Sequence, residues 1–152
     1  MQPALAPAVR RWPWAFARSV SLMQANEPSP TAGSGAILAG AIFAGIAVAL
    51  GAFAAHAMKQ HYDADALRAF ETGVRYQMFH ALALLACGAL QAHGVATALA
   101  SRLLAAGIVL FSGSLYGLVL LEASWLGPVT PIGGVLFLAG WVALAIAARK
   151  RT

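Results

Sequence analysis

The chain has 152 residues, of which 61% are hydrophobic and only 10% charged, with a formal net charge of +5 and a mean hydropathy of +0.75. Soluble domains carry about 25% charged residues, so this composition argues against a water-facing fold, whose helices would need polar outer faces. Its Lys and Arg residues sit at the chain ends and in short loops rather than on a basic stripe interleaved with aromatics, which argues against nucleic acid as a partner.

Residues 1–34 differ from the rest. Pro3, Pro7, Pro13, Pro28 and Pro30 interrupt any long helix, and Arg10, Arg11 and Arg18 break up the apolar content. No uninterrupted apolar stretch precedes a small-residue cleavage site, so a secretory signal is not expected. The expectation is a disordered cytoplasmic extension with Trp12, Trp14 and Phe16 brushing the membrane interface. The Arg-rich, acid-poor composition also fits a transit peptide, and Met23 offers a second start that would leave only a short lead-in.

Beyond this extension the charges leave four uncharged runs, 28–58, 76–101, 103–121 and 123–148. Roughly twenty residues rising about 1.5 Å each cross a hydrocarbon core of about 30 Å. Inside lipid the backbone must pair within its own segment, so such runs become helices. The expected fold is therefore all-α, an integral-membrane four-helix antiparallel bundle over 35–148. Its spans are about 35–57, 75–92, 100–121 and 130–148, followed by a basic cytoplasmic tail at 149–152.

Span one is rich in small residues at four-residue spacing, such as Ala36/Gly40/Ala44 and Ala47/Gly51/Ala55, which let helix backbones approach in lipid. Residues 59–74 place Leu67, Phe70 and Val74 on one helical face. The pattern predicts a short interfacial amphipathic helix, capped by Asp63 and bending at Gly73 into span two. Glu71 and Arg75 are spaced for a local i,i+4 ion pair. Span three carries Gly113 and Gly117 at packing distance, and span four begins Thr130-Pro131, a cap followed by a first-turn proline. Gly133, Gly134 and Gly140 extend the expected packing set.

Four spans put both termini and the 93–102 loop on one side, with Arg10, Arg11, Arg18, Arg102, Arg149, Lys150 and Arg151. The other side has Lys59, Arg68 and Arg75. That bias predicts both termini in the cytoplasm, and a start at Met23 would narrow it to four against three.

This topology gathers the unusual residues at the outer ends of the spans: His56, Arg75, Tyr76, Gln77, His80, Ser112, Ser114, Tyr116, Glu122 and Thr130. Polar side chains at membrane depth are costly unless paired. They are read either as one hydrogen-bonded network, with His80 and Gln77 sharing partners, or as a binding site. No catalytic residues stand out. Cys87 lacks a cationic neighbour that would make it a thiolate, and no third ligand joins His56 and His80 to form a metal site. No cofactor is expected.

Four segments then carry a resemblance. Gly51-Ala52-Phe53-Ala54-Ala55-His56-Ala57-Met58-Lys59 resembles a "GAFGAHGL" signature, with Ala54 and Ala57 where Gly is usual. Phe70-Glu71-Thr72-Gly73-Val74-Arg75-Tyr76-Gln77-Met78-Phe79-His80-Ala81-Leu82-Ala83-Leu84 is similar to a second segment of the same family. Phe111-Ser112-Gly113-Ser114-Leu115-Tyr116 and Thr130-Pro131-Ile132-Gly133-Gly134-Val135-Leu136-Phe137, with Gly140-Trp141, complete it. The chain thus resembles the YgdD/YwdK family of small bacterial inner-membrane proteins over about 35–148. The resemblance implies a four-span protein of the plasma (inner) membrane with no assigned activity.

The functional expectation is a non-enzymatic structural or interaction module of the membrane, with the lipid bilayer and a second copy or another membrane protein as partners. The alternative is a component of a small-solute or ion transporter or channel that uses the outer polar cluster.

Overall fold

The computed structural model describes residues 31–150. The expectations for residues 1–30, and for Arg151 and Thr152, lie outside the described residues. Four long helices make up the fold, and no strand occurs among the described residues. Helix α1 is Ser34–His56, α2 is Ala64–Ala92, α3 is Ala98–Leu120 and α4 is Val129–Arg149. Single 3-10 turns, Met58–Gln60 and Ser124–Leu126, lie in the connections before α2 and α4. We call the end holding these two connections distal, and the end holding the 93–97 connection proximal.

Helices α1 and α3, and α4 with its preceding turn, are each long and apolar enough to cross a membrane. Helix α2 is the longest at 29 residues but is not in that apolar class. Its first turns are polar, and Arg75, Gln77, His80 and Gln91 continue along it.

Touching pairs rise in number on one helix as they fall on the next, so each helix runs opposite to its chain neighbour. A side chain at Gly40 would meet Ala81 and Leu85, whereas Ala54 clusters with Phe70. Thr97 bonds to Cys87 while Ser112 bonds to Gly73. Gly140 packs on Leu104 and Gly133 on Phe111. Two apolar cores result. The larger holds Leu84, Cys87, Leu104, Ile108 and Phe137, and the smaller, distal one holds Ala54, Met58, Phe70 and Val119.

The expected amphipathic segment is not a separate helix. Asp63 does cap, its carboxylate accepting from the Asp65 and Ala66 amides at 2.9 and 2.8 Å. From there α2 runs unbroken through Gly73 to Ala92. The reason is that the apolar face has protein to cover it. Phe70 is fully buried against Met58, Ala54 and Val119, and its ring lies 4.8 Å from that of Tyr116. Gly73 is accordingly a contact, not a bend, since a Cβ there would lie 2.8 Å from the Tyr116 ring. The ion pair in this segment joins Arg68 to Asp65 rather than Arg75 to Glu71.

Two further differences concern helix ends and shape. Thr130 is not the cap of α4, because the helix begins one residue earlier and its hydroxyl turns to Ser114 instead. Pro131 still falls within the first turn, where backbone N–H groups have no intrahelical acceptor and proline is tolerated. Helix α3 widens into a π-helical turn over Ile108–Ser112.

The glycine set divides by what faces each Cα. Gly40, Gly133 and Gly140 sit at tight crossings, and Gly117 lies against Leu126. Gly51 and Gly134 are only in ordinary contact, and Gly113 faces open space. Gly33, Gly73, Gly88 and Gly107 are tight contacts outside the expected set. At Gly133 a Cβ would come within 2.7 Å of the Phe111 Cα, and at Gly88 within 2.8 Å of the Gly33 carbonyl oxygen. Backbone cannot yield cheaply there, so Gly133→Ala and Gly88→Ala should each destabilise by about 1–3 kcal/mol. Gly113→Ala should be neutral or stabilise by up to about 1 kcal/mol, since Ala is the better helix former. Reversible unfolding in mixed detergent and SDS micelles measures the ranking. Equal losses at Gly113 and Gly133 would contradict it.

Candidate functional site: a polar seam along α2

Three hydrogen-bonded groups lie between the middle and the distal end of the bundle, and α2 supplies the centre of two of them. In the first, the Gln77 side chain lies between α1 and α3. Its Nε2 donates to the Phe43 carbonyl at 2.8 Å, and its Oε1 accepts from the Tyr116 hydroxyl at 3.0 Å. Amide orientation is fixed by this pairing, because only the nitrogen can donate to a carbonyl. Gln77 is 3% exposed, so both bonds lie away from water and strengthen in the low local dielectric. Beside it the Ser112 hydroxyl donates to the Gly73 carbonyl at 2.8 Å, from a fully buried position. Close approach of α3 to Gly73 serves both contacts, with Tyr116 over the missing Cβ and Ser112 at the carbonyl.

The second group joins α2 to α4. His80 Nδ1 lies 2.7 Å from the Tyr76 carbonyl, and His80 Nε2 accepts from the Trp141 indole N–H at 3.2 Å. An indole nitrogen only donates, so the Nδ1–H tautomer satisfies both ring nitrogens. The imidazole stacks on Phe137 with ring centroids 3.4 Å apart and planes 7° from parallel. Both His80 nitrogens are thus engaged in structural hydrogen bonds. The third group joins α3 to α4. Ser114 donates its one hydroxyl hydrogen to the Phe111 carbonyl at 2.9 Å, so in its 2.7 Å contact with Thr130 the threonine hydroxyl is the donor.

Of the ten expected residues, the structure brings Tyr76, Gln77, His80, Ser112, Ser114, Tyr116 and Thr130 into these groups. It does not bring in the other three. His56 is exposed at the end of α1, Glu122 is exposed in the turn after α3 with φ 51°, and Arg75 is exposed without an ion-pair partner among the described residues. Nor do His80 and Gln77 share a network, because they point to different neighbouring helices.

The sequence reading also missed participants. The Phe43 carbonyl carries no side-chain signal. Trp141 stood in a motif but not in the expected cluster. A proximal latch was missed altogether: Thr97 donates to the Cys87 carbonyl at 2.7 Å, Ser101 to the Thr97 carbonyl at 3.1 Å, and Gln91 to the Ser101 hydroxyl at 3.1 Å. The Thr97/Ser101 spacing of four residues near Gln91 was its visible trace.

Outside the second group lies a lateral cleft of about 770 Å³ between α2, α3 and α4. Its walls include Tyr76, Phe79, Phe111, Phe137 and Trp141, with Arg75 and Pro131 toward the distal end. No three His, Cys, Asp or Glu side chains converge to hold a metal among the described residues.

Apolar helices whose outward faces are exposed, enclosing a seam of paired polar groups, define a small helical membrane protein. The chain belongs to the family described as a protein of unknown function, DUF423, whose model matches residues 50–134. The membrane protein YwdK of Bacillus subtilis is 44% identical over 117 residues, covering 75% of this chain and 95% of YwdK. A Haemophilus influenzae membrane protein is 48% identical over 105 residues, 68% of this chain and 84% of its own. The inner membrane protein YgdD of Escherichia coli is 42% identical over 123 residues, 74% of this chain and 85% of YgdD. No solved structure matches the chain.

The grouping of the bonds dictates their coupling. Tyr116→Phe should cost about 1 kcal/mol and Gln77→Ala about 1–2 kcal/mol, in line with interhelical hydrogen bonds in lipid. The two should be non-additive because they share a bond, as should His80→Ala with Trp141→Phe. Gln77→Ala and His80→Ala should instead add. Double-mutant cycles on unfolding in detergent read all three pairs. Strong coupling between Gln77 and His80 would mean that the two groups are one network after all.

Proposed function

We propose that this chain is a four-span antiparallel bundle of the plasma (inner) membrane, with both termini in the cytoplasm. It acts as a structural or interaction module without chemistry of its own. Its partners are the lipid bilayer and a second copy or another membrane protein. The observation that carries this reading is the closure of the polar seam: no buried side-chain nitrogen or oxygen lacks a hydrogen-bond partner among the described residues. A transport path requires polar groups free to exchange partners with a passing solute, whereas these are consumed in joining helices.

Helix α2 fits as the fourth span despite its polarity. Its 29 residues are about 43 Å long, more than a hydrocarbon core of about 30 Å. Residues 75–92 alone cover about 27 Å, leaving the polar turns 64–74 beyond the hydrocarbon on the outer side. The outward faces are suited to lipid, with Leu38, Val109 and Leu138 among the exposed large apolar side chains. The Lys and Arg bias supports the orientation.

Two measurements test this. Reporter fusions should place the C-terminus in the cytoplasm and the 59–74 segment outside, and external activity at the C-terminus would reverse the orientation. Purified protein in proteoliposomes should leave ion and small-solute fluxes at the level of protein-free vesicles. A saturable flux lost in Gln77→Ala would replace this reading with the transporter alternative.

A further inference from the structure

The lateral cleft pairs an apolar slot with one unneutralised cation. Neither the Arg75 guanidinium nor the Tyr76 hydroxyl has a partner among the described residues, and both residues are exposed and line the cleft. An arginine at the edge of the hydrocarbon is costly unless an anion or water meets it. Its planar fork of donors matches phosphate oxygens in a two-point contact. Below it the walls are apolar and aromatic, with Phe79 56% and Leu138 69% exposed, so the slot opens toward the lipid side.

The slot is elongated along the helices. It runs from Pro131 to Trp141 on α4 and from Arg75 to His80 on α2. At about 1.5 Å per residue that is about 15 Å and about 8 Å, so it extends inward from the boundary of a hydrocarbon core of about 30 Å without crossing it. A free phosphate would leave this length unused, and a purely apolar occupant would leave Arg75 unpaired.

We propose that the cleft is a binding site for one phospholipid of the surrounding leaflet. The phosphate lies on Arg75 and Tyr76, and one acyl chain runs past Phe79, Phe111 and Leu138 to Trp141. This rests on the reading of the chain as a bundle embedded in lipid. A headgroup without its own cation suits the site best, because a choline ammonium competes with Arg75 for the same phosphate. Phosphatidylglycerol therefore binds in preference to phosphatidylcholine.

The test uses the full chain in mild detergent, titrated with phosphatidylglycerol, phosphatidylcholine, inorganic phosphate and glycerol phosphate. Bound lipid is counted by native mass spectrometry. Arg75→Gln should weaken phosphatidylglycerol binding about tenfold, the loss of one charge-assisted contact, and remove the preference over phosphatidylcholine. Leu138→Trp, a substitution on an exposed face, fills the slot and should weaken both lipids. Lys150→Gln, at the proximal end, should change neither. Wild-type affinity in Arg75→Gln, a loss that follows Lys150 instead, or equal binding of glycerol phosphate and the lipid would each overturn the site. Should Arg75→Gln not fold, Leu138→Trp decides by itself, and undiminished lipid binding there overturns the proposal. Any of these failures in a chain that still resists alkaline carbonate extraction sinks the lipid site alone. Extraction by carbonate would instead sink the embedded bundle.

Discussion

Helix α2 is too polar to face lipid all round, and the other helices are arranged around that constraint. In the proposed four-span bundle Gln77 and His80 cannot be left unpaired, since each unsatisfied group in hydrocarbon costs several kcal/mol. They lie three residues apart and engage different neighbours. Gln77 reaches α1 and α3, and His80 reaches α4. Satisfying the polar groups of one helix therefore fixes the places of three others. Apolar packing alone could not do this, because lipid tails compete equally well for a leucine surface.

Backbone proximity makes those bonds reachable. Ser112 donates to the Gly73 carbonyl only because nothing projects from Gly73, so that α3 can lie against it. The π-helical turn Ile108–Ser112 ends at this contact, and such turns inside α-helices are frequent at functional sites. Around it Phe111 meets Gly133 on α4 while Ser112 meets Gly73 on α2. Adjacent residues of α3 thus serve opposite neighbours. Tight glycine crossings recur near the proximal end, where Gly33 and Gly88 bring α1 to α2 beside the Thr97 latch.

Much of this was legible in the sequence. The charge map located α1, α3 and α4 because charge is excluded from long apolar spans, but it cut α2 short, since Asp65, Arg68, Glu71 and Arg75 lie within that helix. Asp63 was legible because a cap needs only local chemistry. The gathering of Tyr76, Gln77, His80, Ser112, Tyr116 and Thr130 at one depth followed from topology alone. Which of them bond to which was not legible. That depends on the rotation of each helix about its axis, and part of a turn decides whether Gln77 and His80 share a neighbour or, as here, reach three different ones. For the same reason Gly113 looked like a packing residue and Gly73 like a bend. Small-residue spacing reports that a close approach is allowed, not which face is used. The polar pattern at 59–74 misled in another way, since an apolar stripe looks the same whether lipid or protein covers it.

Residue chemistry divides by depth in a way that follows from lipid as the solvent. Gln77, Ser101 and Ser114, which can both donate and accept, use both capacities between helices, and Ser112, Thr97 and Tyr116 each donate one hydrogen bond there. Trp141 and His80 form a complementary pair, one N–H aimed at one ring nitrogen, so neither requires water at that depth. Arg75 differs, as a permanent cation with donors only, set one residue before Tyr76 and exposed beside an aromatic slot. A bundle selected for cohesion alone has no use for a charge at that boundary, since a neutral residue there would avoid its desolvation. Whatever meets it, an anion or water, comes from outside the described helices. In a membrane the anion present throughout at this depth is the phosphate of the lipid itself.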